Sequence, residues 1–244
     1  MKKIINYFII IFILIVCTSL YGCNTNSYNF TYKFNDNNEY VITGYKNEEK
    51  IINLVIPDSY KDVDVIGIDK NAFSGTKIET ITLGKNIRWI DTKAFSDCKS
   101  LKNVVLNDNL AIMSTSCFEN CSSLEYIFIP KSVKVINDYV FAGCTSLKKI
   151  EFDSAIDGGF YTLRTGNSVL TNSTEVFKNC PSLLTLIAPK KLYFSADVFF
   201  SSNVLNIYCY SKTITGKTSY TQLGINIYAA NEWQLNENNE PVLK

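Results

Sequence analysis

The 244-residue chain contains no histidine. Serine and cysteine triads and most catalytic zinc sites depend on imidazole, whose ordinary pKa lies near neutrality, so its absence removes the commonest catalytic constellations. The 11 glycines form no phosphate-cradling loop, and no closely spaced acidic motif stands out. Carboxylate-pair or lysine chemistry stays formally open, but nothing in the residue pattern supports it. With 24 Lys+Arg against 23 Asp+Glu and no basic block, the chain has no electrostatic reason to bind nucleic acid. These absences imply no catalytic residue, no metal, no cofactor and no small-molecule substrate.

The apolar run near the N-terminus, Ile4 to Val16, is short of the ~20 residues of a comfortable membrane span. Lys2 and Lys3 precede it and the polar Thr18 and Ser19 follow, which is the order of a secretory signal. Leu20-Tyr21-Gly22-Cys23 resembles the bacterial lipobox, with Tyr21 where a smaller residue is usual. That resemblance implies a signal peptide over residues 1–22, with cleavage before Cys23 and lipidation of its sulfur; only a nucleophilic thiol can take up the lipid as a thioether. The alternatives are ordinary cleavage near Gly22, giving a secreted protein, and an uncleaved anchor helix. Residues 23–27 then form a short lipidated tether that would hold the mature chain close to a membrane.

The mature part is organised by phenylalanine. Phe73, Phe95, Phe118, Phe141, Phe177 and Phe199 are separated by 22, 23, 23, 36 and 22 residues. Four of them open one heptapeptide, F-x-x-C-x-S-L, placing Cys98, Cys121, Cys144 and Cys180 at a single repeat position; Thr76 and Ser202 replace the cysteine in the other two copies. After each Leu comes an alternating stretch such as Leu124, Ile127 and Ile129, then Pro130, Val133 and Ile136. Corresponding columns are Leu101, Val104, Leu106, Leu110, Met113 and Ile78, Ile81, Leu83, Ile87, Ile90. Period-two alternation predicts a short strand in each unit, and a 20–29-residue period of this kind marks a leucine-rich repeat.

The unit IPKSVKVINDYVFAGCTSL at 129–147 resembles the BspA-like leucine-rich repeat. The resemblance covers about residues 39–210. It implies a mainly β leucine-rich-repeat solenoid with about 23 residues per turn and six to seven turns. A single turn cannot offset the conformational entropy of ordering its own backbone, so stability must come from stacked neighbours. With strands ~4.8 Å apart, the stack would be on the order of 30 Å long. The expected organisation is an N-terminal β-hairpin cap over 28–50, the solenoid over 51–210 and a C-terminal cap and tail over 211–244. Trp233 is expected to plug the open core, and the tail Asn236–Lys244 to be frayed. The 36-residue step carries an insertion within about 153–174, where Asp157-Gly158-Gly159 marks a turn. The insertion reads equally as a specificity loop or as tolerated drift.

The repeated cysteines invite a disulfide reading in an exported protein. The substitution of Thr76 and Ser202 at the same position favours buried thiols in a column beneath the phenylalanines, and one ligand per turn does not converge on a metal. Cys117 and Cys209 look unpaired.

Binding is expected on the outward side chains of the strand face. One outward column reads Val55, Thr82, Val105, Phe128, Glu151, Ile187, Cys209, and the column before it Asn53, Thr80, Asn103, Tyr126, Lys149, Thr185, Ile207. Val105, Tyr126, Phe128 and Ile187 would form an exposed apolar patch interrupted by Lys148, Lys149 and Glu151, a composition suited to protein contacts. Strand propensity alone could also place such residues there. The resemblance implies a surface protein that attaches to host or neighbouring-cell proteins, lipid-anchored to the cell envelope. The alternatives are a self-associating structural envelope protein and an enzyme using the insertion loop.

Overall fold

The computed structural model describes residues 30–46, 51–154, 175–188, 202–204, 206–210, 225–238 and 240–244. The signal segment 1–22, Cys23 with its tether, most of the 153–174 insertion and Phe199 lie outside these residues.

The described residues form seventeen short strands: β1 (Phe30–Phe34), β2 (Tyr40–Tyr45), β3 (Asn53–Val55), β4 (Ser59–Tyr60), β5 (Val63–Ile68), β6 (Thr80–Thr82), β7 (Trp89–Ile90), β8 (Asn103–Val105), β9 (Ile112–Met113), β10 (Tyr126–Ile129), β11 (Val135–Ile136), β12 (Lys149–Phe152), β13 (Thr185–Ala188), β14 (Asn206–Cys209), β15 (Asn226–Tyr228), β16 (Trp233–Leu235) and β17 (Pro241–Leu243). No helix occurs among the described residues. Together the strands coil into a solenoid of about six turns of ~23 residues each.

One side of the coil carries the strand predicted in each repeat. It is split into two parallel sheets, β3-β6-β8 and β10-β12-β13-β14-β15. An adjoining side carries β2-β5-β7-β9-β11, with β1 closing it antiparallel against β2. The β1–β2 pair forms a hairpin whose turn is held by Asn35: its Oδ1 accepts the amides of Asn37 (3.0 Å) and Glu39 (2.9 Å). Asn38, in the left-handed conformation at φ 60°, is a residue type that tolerates it. Lys33 pairs with Asp69 at 2.7 Å and Arg88 with Glu39 at 2.8 Å, tying the hairpin to the first turns.

The interior spine is a column of parallel rings. Centroids are 5.3 Å apart for Phe73–Phe95, 5.4 Å for Phe95–Phe118, 5.9 Å for Phe118–Phe141 and 5.9 Å for Phe141–Phe177, with interplanar angles of 6° to 10°. Tyr45 of the hairpin stacks on Phe73 at 5.9 Å and continues the column outward. Aromatic pairs at such separations add to what burial alone contributes.

Each phenylalanine is bracketed by two left-handed residues, two positions before and two after. The first set is Asn71, Lys93, Ser116, Tyr139 and Glu175; the second is Gly75, Asp97, Asn120, Gly143 and Asn179. The second set contains only Gly, Asp and Asn, the residues for which that conformation costs least. These paired reversals bend the chain around each ring. Each Phe amide then donates to the next turn, to Ala94, Cys117, Val140 and Val176 for Phe73, Phe95, Phe118 and Phe141, at 2.8–3.0 Å.

Four expectations need correction here. Val104 and Leu106, placed in the core by their column, are only partly buried; they lie at the junction where β8 and β10 belong to different sheets. Strand β14 is shifted by one residue from the repeat frame: Asn206 pairs with Thr185, Ile207 with Leu186, Tyr208 with Ile187 and Cys209 with Ala188. Ile207 and Cys209 therefore face the core and Asn206 and Tyr208 face outward, because a one-residue slip exchanges the faces of a strand. The tail is not frayed. It closes as the hairpin β16–β17, with Asn236 Oδ1 accepting the amides of Asn238 and Glu240 at 2.9 Å each. Finally, Trp233 does not plug the core but lies on the outside of the sheet, in a cluster with Ile187 and Tyr208.

Candidate binding face

The outer strand face is built by alternation. In each unit the middle residue of the strand, Leu54, Ile81, Ile127 or Ile150, points into the core and its neighbours point out. Parallel in-register pairing then aligns the outward residues of successive turns: Asn53, Thr80, Asn103 in one column and Val55, Thr82, Val105 in the other. Beyond the junction the second sheet aligns its own outward columns, Tyr126, Lys149, Thr185, Asn206, Asn226 and Phe128, Glu151, Ile187, Tyr208, Tyr228.

The second column changes character along its length. Val55, Val105 and Phe128 are 53%, 41% and 39% exposed, apolar side chains open to solvent with Thr82 between the two valines. The centre of the face is polar. Glu151 Oε2 accepts from Lys149 Nζ at 3.1 Å and from the Tyr126 hydroxyl at 3.1 Å, while Lys149 Nζ sits 5.5 Å from the Tyr126 ring centroid. Tyr126, Lys149 and Glu151 are thus one interlocked group. Its ion pair is well covered, with side-chain exposures of 20% and 12%, whereas the neighbouring Lys148–Glu125 pair is at 63% and 61%. Glu151 is accordingly buried rather than displayed.

The far end of the column is closed. Ile187, expected to be exposed, is fully buried. It shares its cluster with Tyr208 and Trp233, against which Tyr210 and Tyr228 pack. The Trp233 ring lies 5.5 Å from Tyr208 and 5.3 Å from Tyr210, and its Nε1–H donates to the Cys209 carbonyl at 3.0 Å. The Tyr210 hydroxyl is pushed above its ordinary pKa by burial and by the nearby charges of Glu151 and Asp153. Sequence reasoning missed Tyr208 and Tyr210 because the repeat frame loses its cysteine at Ser202 and the strand slips there. The aromatic run Tyr208-Cys209-Tyr210 is the signal that could have found them.

The cysteine column lies inside. Cys98, Cys121, Cys144 and Cys180 are buried thiols, and Cys117 and Cys209 are buried too. Each of the first four donates to the carbonyl of the phenylalanine one turn earlier: Phe73 at 3.2 Å, Phe95 at 3.2 Å, Phe118 at 3.3 Å and Phe141 at 3.1 Å. Burial drives all four pKa values upward, and that of Cys180 reaches about 12. Such thiols are protonated and unreactive at neutral pH. Among the described residues, no group of His, Cys, Asp or Glu converges to hold a metal ion.

A continuous ring stack, two left-handed residues per turn and in-register parallel strands define the class: a leucine-rich-repeat solenoid. The family model described as BspA type leucine rich repeat region matches residues 66–206 in six copies, and the chain belongs to that family. Among solved structures, the leucine-rich repeat protein of T. pallidum is similar at 22% identity and a TM-score of 0.54, over 83% of this chain and 96% of that one. The pneumococcal vaccine antigen PcpA is similar at 17% identity and a TM-score of 0.59, over 83% of this chain and 47% of that one. A leucine-rich repeat protein from Bacteroides capillosus is 26% identical over 52% of this chain and 95% of its own, with a TM-score of 0.47. No curated protein matches the chain.

Proposed function

We propose that this chain is an exported bacterial surface protein, held at the membrane through lipid on Cys23, that binds other proteins with the open half of its strand face. The observation that carries this reading is the solvent-exposed apolar side chains Val55, Val105 and Phe128, flanked by the Tyr126–Lys149–Glu151 group. Exposed apolar side chains rimmed by polar groups are the usual make-up of a protein contact, with aromatic residues as anchors. The repeat scaffold favours this role, since its side chains fill the interior and leave function to its surface. The N-terminal segment supports export, and the description of PcpA as a vaccine antigen is in keeping with a surface location. In this reading the protein is a scaffold for attachment rather than an enzyme.

The test uses the full chain and its Tyr126→Ala/Phe128→Ala variant in capture experiments with intact host or neighbouring cells. Reduced capture by a variant that melts like wild type is the expected result; equal capture removes the strand face from the reading. Protease shaving of intact cells tests location. A Cys23→Ser variant that still incorporates labelled fatty acid would remove the lipid anchor.

A further inference from the structure

Among the described residues, the side chain of the C-terminal hairpin that is buried against the strand face is Trp233. In β16, Trp233 is buried while Gln234 and Leu235 are exposed; in β17, Leu243 is exposed and Pro241 and Val242 are half-buried. Among the described residues the hairpin pairs only with itself, as a two-stranded sheet separate from β15. A lone two-stranded hairpin is marginal in water, so its position depends on what Trp233 holds. Bonds at its base include Lys244 N–H to Glu232 O at 3.1 Å, Lys244 Nζ to Ala230 O at 3.3 Å and Ala229 N–H to Glu232 Oε2 at 2.6 Å.

The seat belongs to the solenoid. Tyr208 and Tyr228 stack at 5.1 Å on adjacent paired strands, and the residues alternating with them, Ile207, Cys209 and Ile227, are anchored in the main core. The platform therefore does not need the hairpin to form. Its recognition elements suit an indole: aromatic faces at 5.3 and 5.5 Å, an apolar floor at Ile187 and a carbonyl at Cys209 that accepts a ring N–H. The floor and platform lie in the column that begins with Phe128 and passes through Glu151.

We infer that the seat beneath Trp233 is a peptide-binding site that the chain fills with its own C-terminal hairpin, and that an external polypeptide segment bearing an indole takes the same seat when the hairpin lifts. The inference rests on the strand face being the binding surface, but it uses different residues. Lifting the hairpin uncovers Ile187 and Tyr208, beside Tyr228, as a second apolar stretch beyond Glu151. A tethered segment competes at an effective concentration in the mM range, so only partners that outcompete it gain the full face.

The test is a fluorescently labelled synthetic peptide of residues 232–244, titrated by anisotropy against the full chain and its Trp233→Ala variant. Saturable binding to Trp233→Ala, at least ten-fold weaker binding to wild type, and no binding of a peptide whose tryptophan is replaced by alanine support the site. Three results overturn it: a folded Trp233→Ala chain that does not bind, equal binding to both chains, or loss of the solenoid fold in Trp233→Ala, which would make the hairpin a structural cap. Tyr126→Ala/Phe128→Ala combined with Trp233→Ala should bind the peptide unchanged, so failure of the open half and failure of this seat are read separately.

Discussion

The thiol of Cys121 donates to the carbonyl oxygen of Phe95 one turn earlier, 3.2 Å away. The same bond recurs from Cys98, Cys144 and Cys180, so each turn is stitched to the last inside the core. In the first copy Thr76 Oγ1 instead donates to the carbonyl of its own Phe73, at 2.9 Å. Cys121→Ala removes a buried donor and a little volume, and should cost about 1–2 kcal/mol. Cys121→Ser keeps a donor and should cost less than alanine. Urea midpoints of the two variants check this; equal losses would mean the hydrogen bond contributes nothing.

The same thiols set an alkaline limit. Burial raises the pKa of Cys98, Cys117, Cys121, Cys144 and Cys180 in the folded chain above that of a free thiol. Below about pH 8.5 they are protonated in both states and their contribution is fully present. As pH rises further the unfolded chain releases these protons first, so it binds fewer and stability falls. Urea midpoints should be level from pH 6 to 8 and drop steadily above pH 9. A midpoint unchanged at pH 10.5 would contradict the burial of these groups.

Gly75 and Gly143 occupy one repeat position with φ of 72° and 73°. Alanine at either incurs the left-handed penalty of about 1–2 kcal/mol. A Cβ at Gly75 meets nothing within 4 Å, whereas at Gly143 it runs into the side-chain oxygen of Asn120, whose amide donates to Asp97 at 3.1 Å. Gly143→Ala should therefore lower the melting temperature further than Gly75→Ala. The reverse order would show that Asn120 yields freely.

The two neighbouring lysines differ in burial. Lys148→Met removes an exposed pair and should change stability by under about 1 kcal/mol. Lys149→Met leaves Glu151 covered and without its cation. The cost should be about 2–3 kcal/mol, less than the ~3–5 of a fully buried pair because some solvent remains. Denaturant unfolding of both variants distinguishes the cases.

Phe118 and Phe128 are ten residues apart and face opposite ways. Phe118→Ala opens a gap in the ring stack between Phe95 and Phe141 and should cost about 3–5 kcal/mol. Phe128→Ala, on the outer face, should stay within about 0.5 kcal/mol while weakening partner capture. A large stability loss at Phe128 would reassign it to the core.

Most of the interior was readable from residue spacing. Phe73 through Phe177 and the cysteine column recur at a period that only stacking satisfies, and the strand columns from Val55 to Glu151 follow from alternation. The outer face was less legible. Ile187 carries the same outward signature as Phe128, and only packing against Tyr208 and Trp233 closes it. Strand β14 departs by one residue from the repeat frame, which has no cysteine there to hold the count, and a single-residue shift exchanges the two faces.

Local repetition is a property of the chain, so the sequence by itself determined the solenoid, its interior residues and the direction in which most strand side chains point. Which stretches of the outer surface stay open was decided only by the tertiary structure. That outcome depends on where a segment distant in sequence, the hairpin carrying Trp233, comes to rest. It also depends on how Tyr126, Lys149 and Glu151 satisfy one another across neighbouring turns. Neither relation has a period, and the physical cause of both is contact between non-equivalent parts of the chain, which no repeat unit encodes.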